Sequence, residues 1–204
     1  MSSLPPLEPL DPTTTALVVI DLQRGIAGAP TAPLAATEVI GNARRLAGAC
    51  REAGALVVLV RVTPSPDGRD ALHPVVDAPV SWQGARPADW AEIVPEMGPE
   101  PGDLVITKRQ WGAFYGTELD LQLRRRGITT IVMAGISTDA GVESTARDAY
   151  ERGYAQVFAV DAMTARSAES HARTVTHILP RIGRVRPTDE IVAALRGGRT
   201  PAAG

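Results

Sequence analysis

Residues 135–154 read GISTDAGVESTARDAYERGY and directly follow the apolar run Ile131-Val132-Met133-Ala134. A buried strand ends in a tight glycine turn and passes at once into a helix. Such a turn points backbone N–H groups and a positive helix terminus into one small space, which suits a developing anion. A β-to-α junction of this kind is the repeating unit of a parallel sheet covered by helices.

The flanking sequence repeats the unit. Thr15–Ile20 and Leu56–Val62 are short β-rich runs, and Leu34 to Ala53 between them carries a helical stripe at Val39, Ala43, Leu46, Ala47 and Cys50. Leu104–Thr107 predicts a third strand, Thr117–Arg126 a helix, Thr129–Ala134 a fourth strand and Thr138–Arg152 a helix. Gln156–Val160 predicts the fifth strand, Ser167–Leu179 a helix, Ile182–Val185 a sixth strand and Thr188–Leu195 the last helix. The expected fold is a three-layer α/β/α sandwich, Rossmann-like, around a mainly parallel six-stranded sheet. One domain is expected over residues 15–196, after an extension at 1–14 and before a disordered tail at 197–204.

Composition narrows the function classes. The chain has 204 residues, a net charge of −2, 44 % apolar residues and 4 % aromatic ones. Its one extended basic run, Arg124-Arg125-Arg126, sits at a helix end, where it complements the negative terminus. Nucleic-acid binding has no compositional support. No apolar run is long enough to span a membrane and no signal peptide precedes the first strand, so a cytoplasmic protein is expected. The single cysteine, Cys50, excludes an intrachain disulfide and lies on an apolar helix face, where a buried, inert thiol is expected. Three scattered histidines make no metal-ligand set, so no metal or other cofactor is expected. No GxGxxG or Walker A sequence follows the first strand. From Thr63 to Gly102 runs a long segment with eight prolines, of the kind that forms lids and selects substrates. Trp82 and Trp90 are its candidate lid residues.

In doubly wound sheets, ligands bind beyond the carboxyl ends of the strands. Asp21 ends strand one, Lys108 follows strand three, and the Gly135–Gly141 turn follows strand four. With these three strands as central neighbours, an acid, a cation and an anion-binding turn converge on one cleft. Taken singly, each has a plain structural alternative: a capping Asp, a solvated Lys and an ordinary glycine turn. Trp111, Phe114 and Tyr115 follow Lys108 and either line the pocket or pack. Asp161 ends strand five and is read as structural, capping the turn before Thr164. Glu143–Arg147 and Asp148–Arg152 are i, i+4 pairs of a solvated helix face.

The motifs LVVIDLQRGI (17–26), VITKRQWGAFYGTELDLQLRRRGI (105–128), GISTDAGVESTARDAYERGY (135–154) and VFAVDAMTARSAESH (157–171) together resemble the isochorismatase-like, or cysteine hydrolase, superfamily. The resemblance runs from about Thr15 to Val185. It implies an acid at Asp21, a lysine at Lys108, backbone oxyanion donors at Ser137 and Gly141, and a cis peptide bond between Ile136 and Ser137. It also implies a homodimer or larger homo-oligomer acting on a small molecule. Most members carry a nucleophilic cysteine where this chain has Gly141, so covalent acyl transfer at this position is closed.

Isochorismatases proper share this glycine and cleave a vinyl ether with the Asp as proton donor and water as nucleophile. The expected activity is therefore hydrolysis without a covalent intermediate, with Asp21 as general acid/base and Lys108 as its electrostatic partner. The bond cleaved is a vinyl ether or a related C–O or C–N bond. This chain departs from isochorismatases proper in having Ser137 where they have Tyr. It also reads Val62-Thr63-Pro64-Ser65-Pro66 after the second strand, with Arg69 beyond it as a candidate carboxylate clamp. The alternatives are a vestigial member that binds a small molecule or partner, and an amidase whose cysteine at 141 has been replaced.

Overall fold

The computed structural model describes residues 5–78 and 86–198. Trp82 lies outside the described residues. Six strands form one sheet: β1 (Thr15–Ile20), β2 (Leu56–Val62), β3 (Leu104–Lys108), β4 (Thr130–Ile136), β5 (Ala155–Thr164) and β6 (Arg184–Arg186). Their order is β3-β2-β1-β4-β5-β6, and every pairing is parallel. The helices are α1 (Arg24–Ala27), α2 (Ala36–Ala53), α3 (Leu119–Arg125), α4 (Glu143–Glu151), α5 (Ala168–Arg173), α6 (Leu179–Ile182) and α7 (Thr188–Gly197).

Alternation along the strands supplies the two faces. Leu17, Val19, Leu59 and Val132 point into one apolar layer shared with Val39, Leu46 and Cys50 of α2 and Leu195 of α7. Val18, Ile20, Val58 and Met133 point into the other, with Leu123 of α3 and Ala146 of α4. Both faces of the central strands are thus dry, which is why they read as continuous apolar runs. The segment before β1 belongs to the first layer: Leu7 and Leu10 are buried there, and the Leu10 N–H donates to the Ala194 carbonyl at 3.0 Å.

The chain winds outward from β1 to β3, then restarts at β4 on the other side of β1. The β1/β4 junction is therefore the topological switch point. The expectation that strands one, three and four are central neighbours is corrected: β3 is the sheet edge, and β2 separates it from β1. The reason is that β1, β2 and β3 are laid down side by side before the reversal.

Other boundaries differ from the sequence reading for local reasons. The helix after β4 starts as a π-helical turn at Thr138–Val142 before α4. The helix expected at 167–179 is split by a second π-helical turn, Thr174–Ile178, between α5 and α6. β5 runs past Val160 because pairing with β4 resumes after a register shift, with Gly135 opposite Met163 and Ile136 opposite Thr164. Asp161 sits in that irregular stretch and is structural in a different way from the one expected. Its Oδ1 accepts from the Thr188 N–H at 2.8 Å and from Thr188 Oγ1 at 2.7 Å, capping α7 rather than the turn before Thr164.

The proline-rich segment is pinned at its far end. Trp90 is buried, and its indole lies so close over Gly25 that a Cβ there would stand 1.9 Å from Cδ1. Val94 and Met97 enter the first apolar layer. Trp90 is therefore an anchor against α1 and not a lid residue. Among the described residues, no helix is long and apolar enough to cross a membrane.

Candidate functional site

The site begins where β1 and β4 end together. Ile20 stands opposite Gly135 in the ladder, and a Cβ on Gly135 would lie 2.0 Å from the Ile20 carbonyl oxygen. Gly135 also has φ +126°. Only glycine meets both conditions, and the close approach lets the next residue of each strand turn inward at one point.

That next residue on β1 is Asp21, in the left-handed region at φ 52°, its N–H donating to the Val60 carbonyl at 2.9 Å. On β4 the chain passes the Ile136–Ser137 peptide, which is cis, as the resemblance implies. It then enters the π-helical turn that holds Gly141.

Lys108 reaches this point from the sheet edge, across β2. Its side chain is 1 % exposed, and Nζ donates to Asp21 Oδ2 at 2.7 Å and to the Trp111 carbonyl at 2.6 Å. A Cβ built on Gly141 would lie 3.1 Å from Asp21 Oδ2 and 3.3 Å from Lys108 Nζ. Asp21, Lys108 and Gly141 thus share one spot. The same Cβ would stand 2.9 Å from Ile20 Cγ2, so a side chain at 141 would require these neighbours to shift.

Electrostatics sets the carboxyl apart. Burial raises the pKa of Asp21 to about 6, against the opposing charge and hydrogen bond of Lys108. Desolvation wins because the carboxyl is only 4 % exposed. Asp21 Oδ1 and Ser137 Oγ are buried without a protein partner. Cys50, by contrast, is buried in the helical layer with its thiol pushed up to about 12 by desolvation, far from a thiolate at neutral pH.

The remaining candidates separate. Phe114 is a core residue, 3 % exposed, with its ring 5.9 Å from that of Tyr154 and the Arg152 guanidinium 5.1 Å above it. It packs within the second apolar layer. Trp111 and Tyr115 are exposed, at 62 % and 78 %, and Trp111 touches the site through its carbonyl. Arg69 is exposed on the loop after β2, its N–H bonded to Asp67 Oδ1, and no hydrogen bond or ion pair joins it to Asp21, Lys108 or Gly141. Among the described residues, no group of three or more His, Cys, Asp or Glu is placed to hold a metal ion.

Three residues that lie within the quoted motifs but were assigned no role there support the site. Gln23 is fully buried: its amide donates to the carbonyls of Val62 and Trp90 at 3.0 and 3.2 Å and accepts from the Val62 N–H at 2.8 Å. Arg166 donates to the carbonyls of Ile26, Ala29 and Pro30, holding the segment after Asp21. His171 is buried with Nδ1 2.9 Å from Thr138 Oγ1. Their place inside the motifs was the cue available, and it does not say which contacts they make.

Residues 15–190 match the isochorismatase domain model. The chain belongs to the isochorismatase family. The uncharacterized isochorismatase family protein YecD of Escherichia coli O157:H7 is 53 % identical over 186 residues, covering 91 % of this chain and 98 % of that one. The uncharacterized family protein YwoC of Bacillus subtilis is 49 % identical over 188 residues, covering 92 % and 97 %. Ureidoacrylate amidohydrolase RutB of Variovorax paradoxus is 34 % identical over 180 residues, covering 75 % and 69 %. Among solved structures, an isochorismatase family protein from Burkholderia thailandensis superposes with a TM-score of 0.88 at 43 % identity, covering 93 % of this chain and all of that one. N-carbamoylsarcosine amidase from Thermoplasma acidophilum gives 0.70 at 30 % identity, covering 86 % and 97 %. The family is one of isochorismatase-like hydrolases, and the named relatives include amidohydrolases.

Proposed function

We propose that the protein hydrolyses a small molecule without a covalent intermediate, with Asp21 as general acid/base and Lys108 as its electrostatic partner. Where the bond cleaved is the C–N bond of an amide, the N–H groups of Ser137 and Gly141 hold the negative charge that develops on the carbonyl oxygen. One observation carries the reading. A buried carboxyl with a pKa near 6 lies 2.7 Å from a buried ammonium, and both stand beside the Gly141 backbone. An acid so placed holds a proton it can give up near neutral pH.

The step balances with water alone. Asp21 hands its proton to the substrate, water adds to the electrophilic carbon, the C–O or C–N bond breaks, and the water's proton returns to the carboxylate. The names of the amidohydrolase and amidase relatives favour a C–N bond. The same reading takes the domain as residues 15–196, the protein as cytoplasmic, and its working form as a homodimer or larger homo-oligomer.

The test is a turnover screen of the purified protein against ureido and carbamoyl amides and against enol ethers. Turnover that disappears in Asp21→Ala supports the reading. A saturable ligand with no turnover supports a vestigial binding protein instead. The replaced-cysteine amidase has one observation in its favour, the acid and cation within 3.3 Å of the Cβ position at 141. The Ile20 methyl at 2.9 Å counts against it. Amidase activity appearing only in Gly141→Cys would overturn the leading reading.

A further inference from the structure

Two side chains from the α5 stretch brace the turn on either side of Gly141. Before it, Thr138 is fully buried and its Oγ1 meets His171 Nδ1 at 2.9 Å. After it, Glu143 Oε2 accepts from Thr174 Oγ1 at 2.7 Å. His171 and Thr174 are three residues apart, on one helical face. Between the braces, Ala140 N–H and Val142 N–H donate to the Ser137 carbonyl at 3.2 and 3.1 Å, and Thr145 Oγ1 donates to the Gly141 carbonyl at 2.6 Å. π-helical turns are rare and occur often at functional sites. Side chains that lock such a turn set the aim of its backbone groups.

We propose that His171 is a positioning residue: its hydrogen bond to Thr138 fixes the backbone from Ser137 to Gly141. The proposal rests on reading that turn as the anion-holding element, and it adds the residue that sets the aim of its N–H groups. Burial keeps the ring neutral, and a neutral imidazole carries one donor and one acceptor nitrogen. Either tautomer satisfies the hydroxyl, because Oγ1 both donates and accepts. The mismatch removed by this bond is small in distance and large in consequence, since an N–H misplaced by about 1 Å costs up to roughly 100-fold in rate.

The test uses the full chain. His171→Leu and Thr138→Val remove the bond from opposite ends, so either can stand in if the other fails to fold. His171→Asn keeps a polar atom near the place of Nδ1. Val175→Ala, in the π-helical turn after α5 and packed on the second apolar layer, controls for stability loss alone. The readouts are the 1H–15N amide spectrum and the hydrogen-exchange rates of residues 137–142. Exchange there is expected to quicken roughly tenfold in His171→Leu and in Thr138→Val, to return in His171→Asn, and to stay put in Val175→Ala. With a substrate in hand, kcat falls roughly tenfold in the first two variants with KM little changed. Unmoved amides in His171→Leu and Thr138→Val, or equal movement in Val175→Ala, overturn the proposal and leave the functional reading intact. Unchanged turnover in Asp21→Ala would remove the functional reading and leave the brace.

Discussion

Asp21 is where the chemistry of this chain concentrates. A proton donor with a pKa near 6 makes activity fall as pH rises through that value, because the donating form is lost. We expect kcat/KM to decline above about pH 6, measured as a pH–rate profile. A rate that climbs through pH 6 would instead make the carboxylate a base. The same shift has a sign for stability. The folded carboxyl binds its proton more tightly than a free aspartate, whose ordinary value is 3.8, so the native state holds more protons between about pH 4 and 6. Asp21 therefore lowers unfolding free energy as pH rises through that window. Denaturant titrations at several pH values, wild type against Asp21→Asn, check the slope. At Gly135, a methyl would collide with the Ile20 carbonyl at 2.0 Å and force φ +126° on an L-residue. Gly135→Ala is expected to lose about 3 kcal/mol or more in chemical denaturation.

At the level of elements, the segment between β2 and β3 is tied down by Gln23. Its amide joins the end of β2 to Trp90 with three hydrogen bonds. Gln23→Leu removes all three bonds, and the Val62 N–H loses its side-chain acceptor, worth roughly 1–3 kcal/mol, while the Trp90 carbonyl keeps the Gly25 N–H at 2.9 Å. Limited proteolysis between residues 63 and 102 is expected to speed up in this variant, while the rest of the fold resists. Cleavage at the wild-type rate would show that the Trp90–Gly25 contact suffices. The elements themselves were largely legible. β1 and β2 stand where alternation of β-rich runs and glycine stops put them, because buried parallel strands carry their signal locally. The π-helical turns at Thr138–Val142 and Thr174–Ile178 were not legible. Their apolar spacing reads as continuous helix, and only contacts with neighbouring helices decide the extra residue per turn.

At the level of the whole molecule, Trp111 and Tyr115 lie exposed beside Lys108. We expect a homodimer or larger species by size-exclusion chromatography with light scattering at micromolar concentration; a monomer would remove that part of the proposal. The order of the strands was only partly readable. Lys108 was expected on a central strand and comes from the edge, since nothing in a strand's own residues says how many neighbours lie outside it. Its long side chain makes up the distance across β2, which is why a lysine, with its four-carbon stem, serves there.

The sequence by itself determined the alternation of strands and helices, the family, and the residues Asp21, Lys108 and Gly141 that end or follow strands. These are local or motif-borne properties, written in short spacings. The tertiary structure alone decided that burial outweighs Lys108 at the Asp21 carboxyl, that Ile20 stands close to Gly141, and that Gln23, Arg166 and His171 brace the site. Those facts depend on residues far apart in the chain meeting in a dry interior, where a distance of 3 Å and the loss of water set the energies.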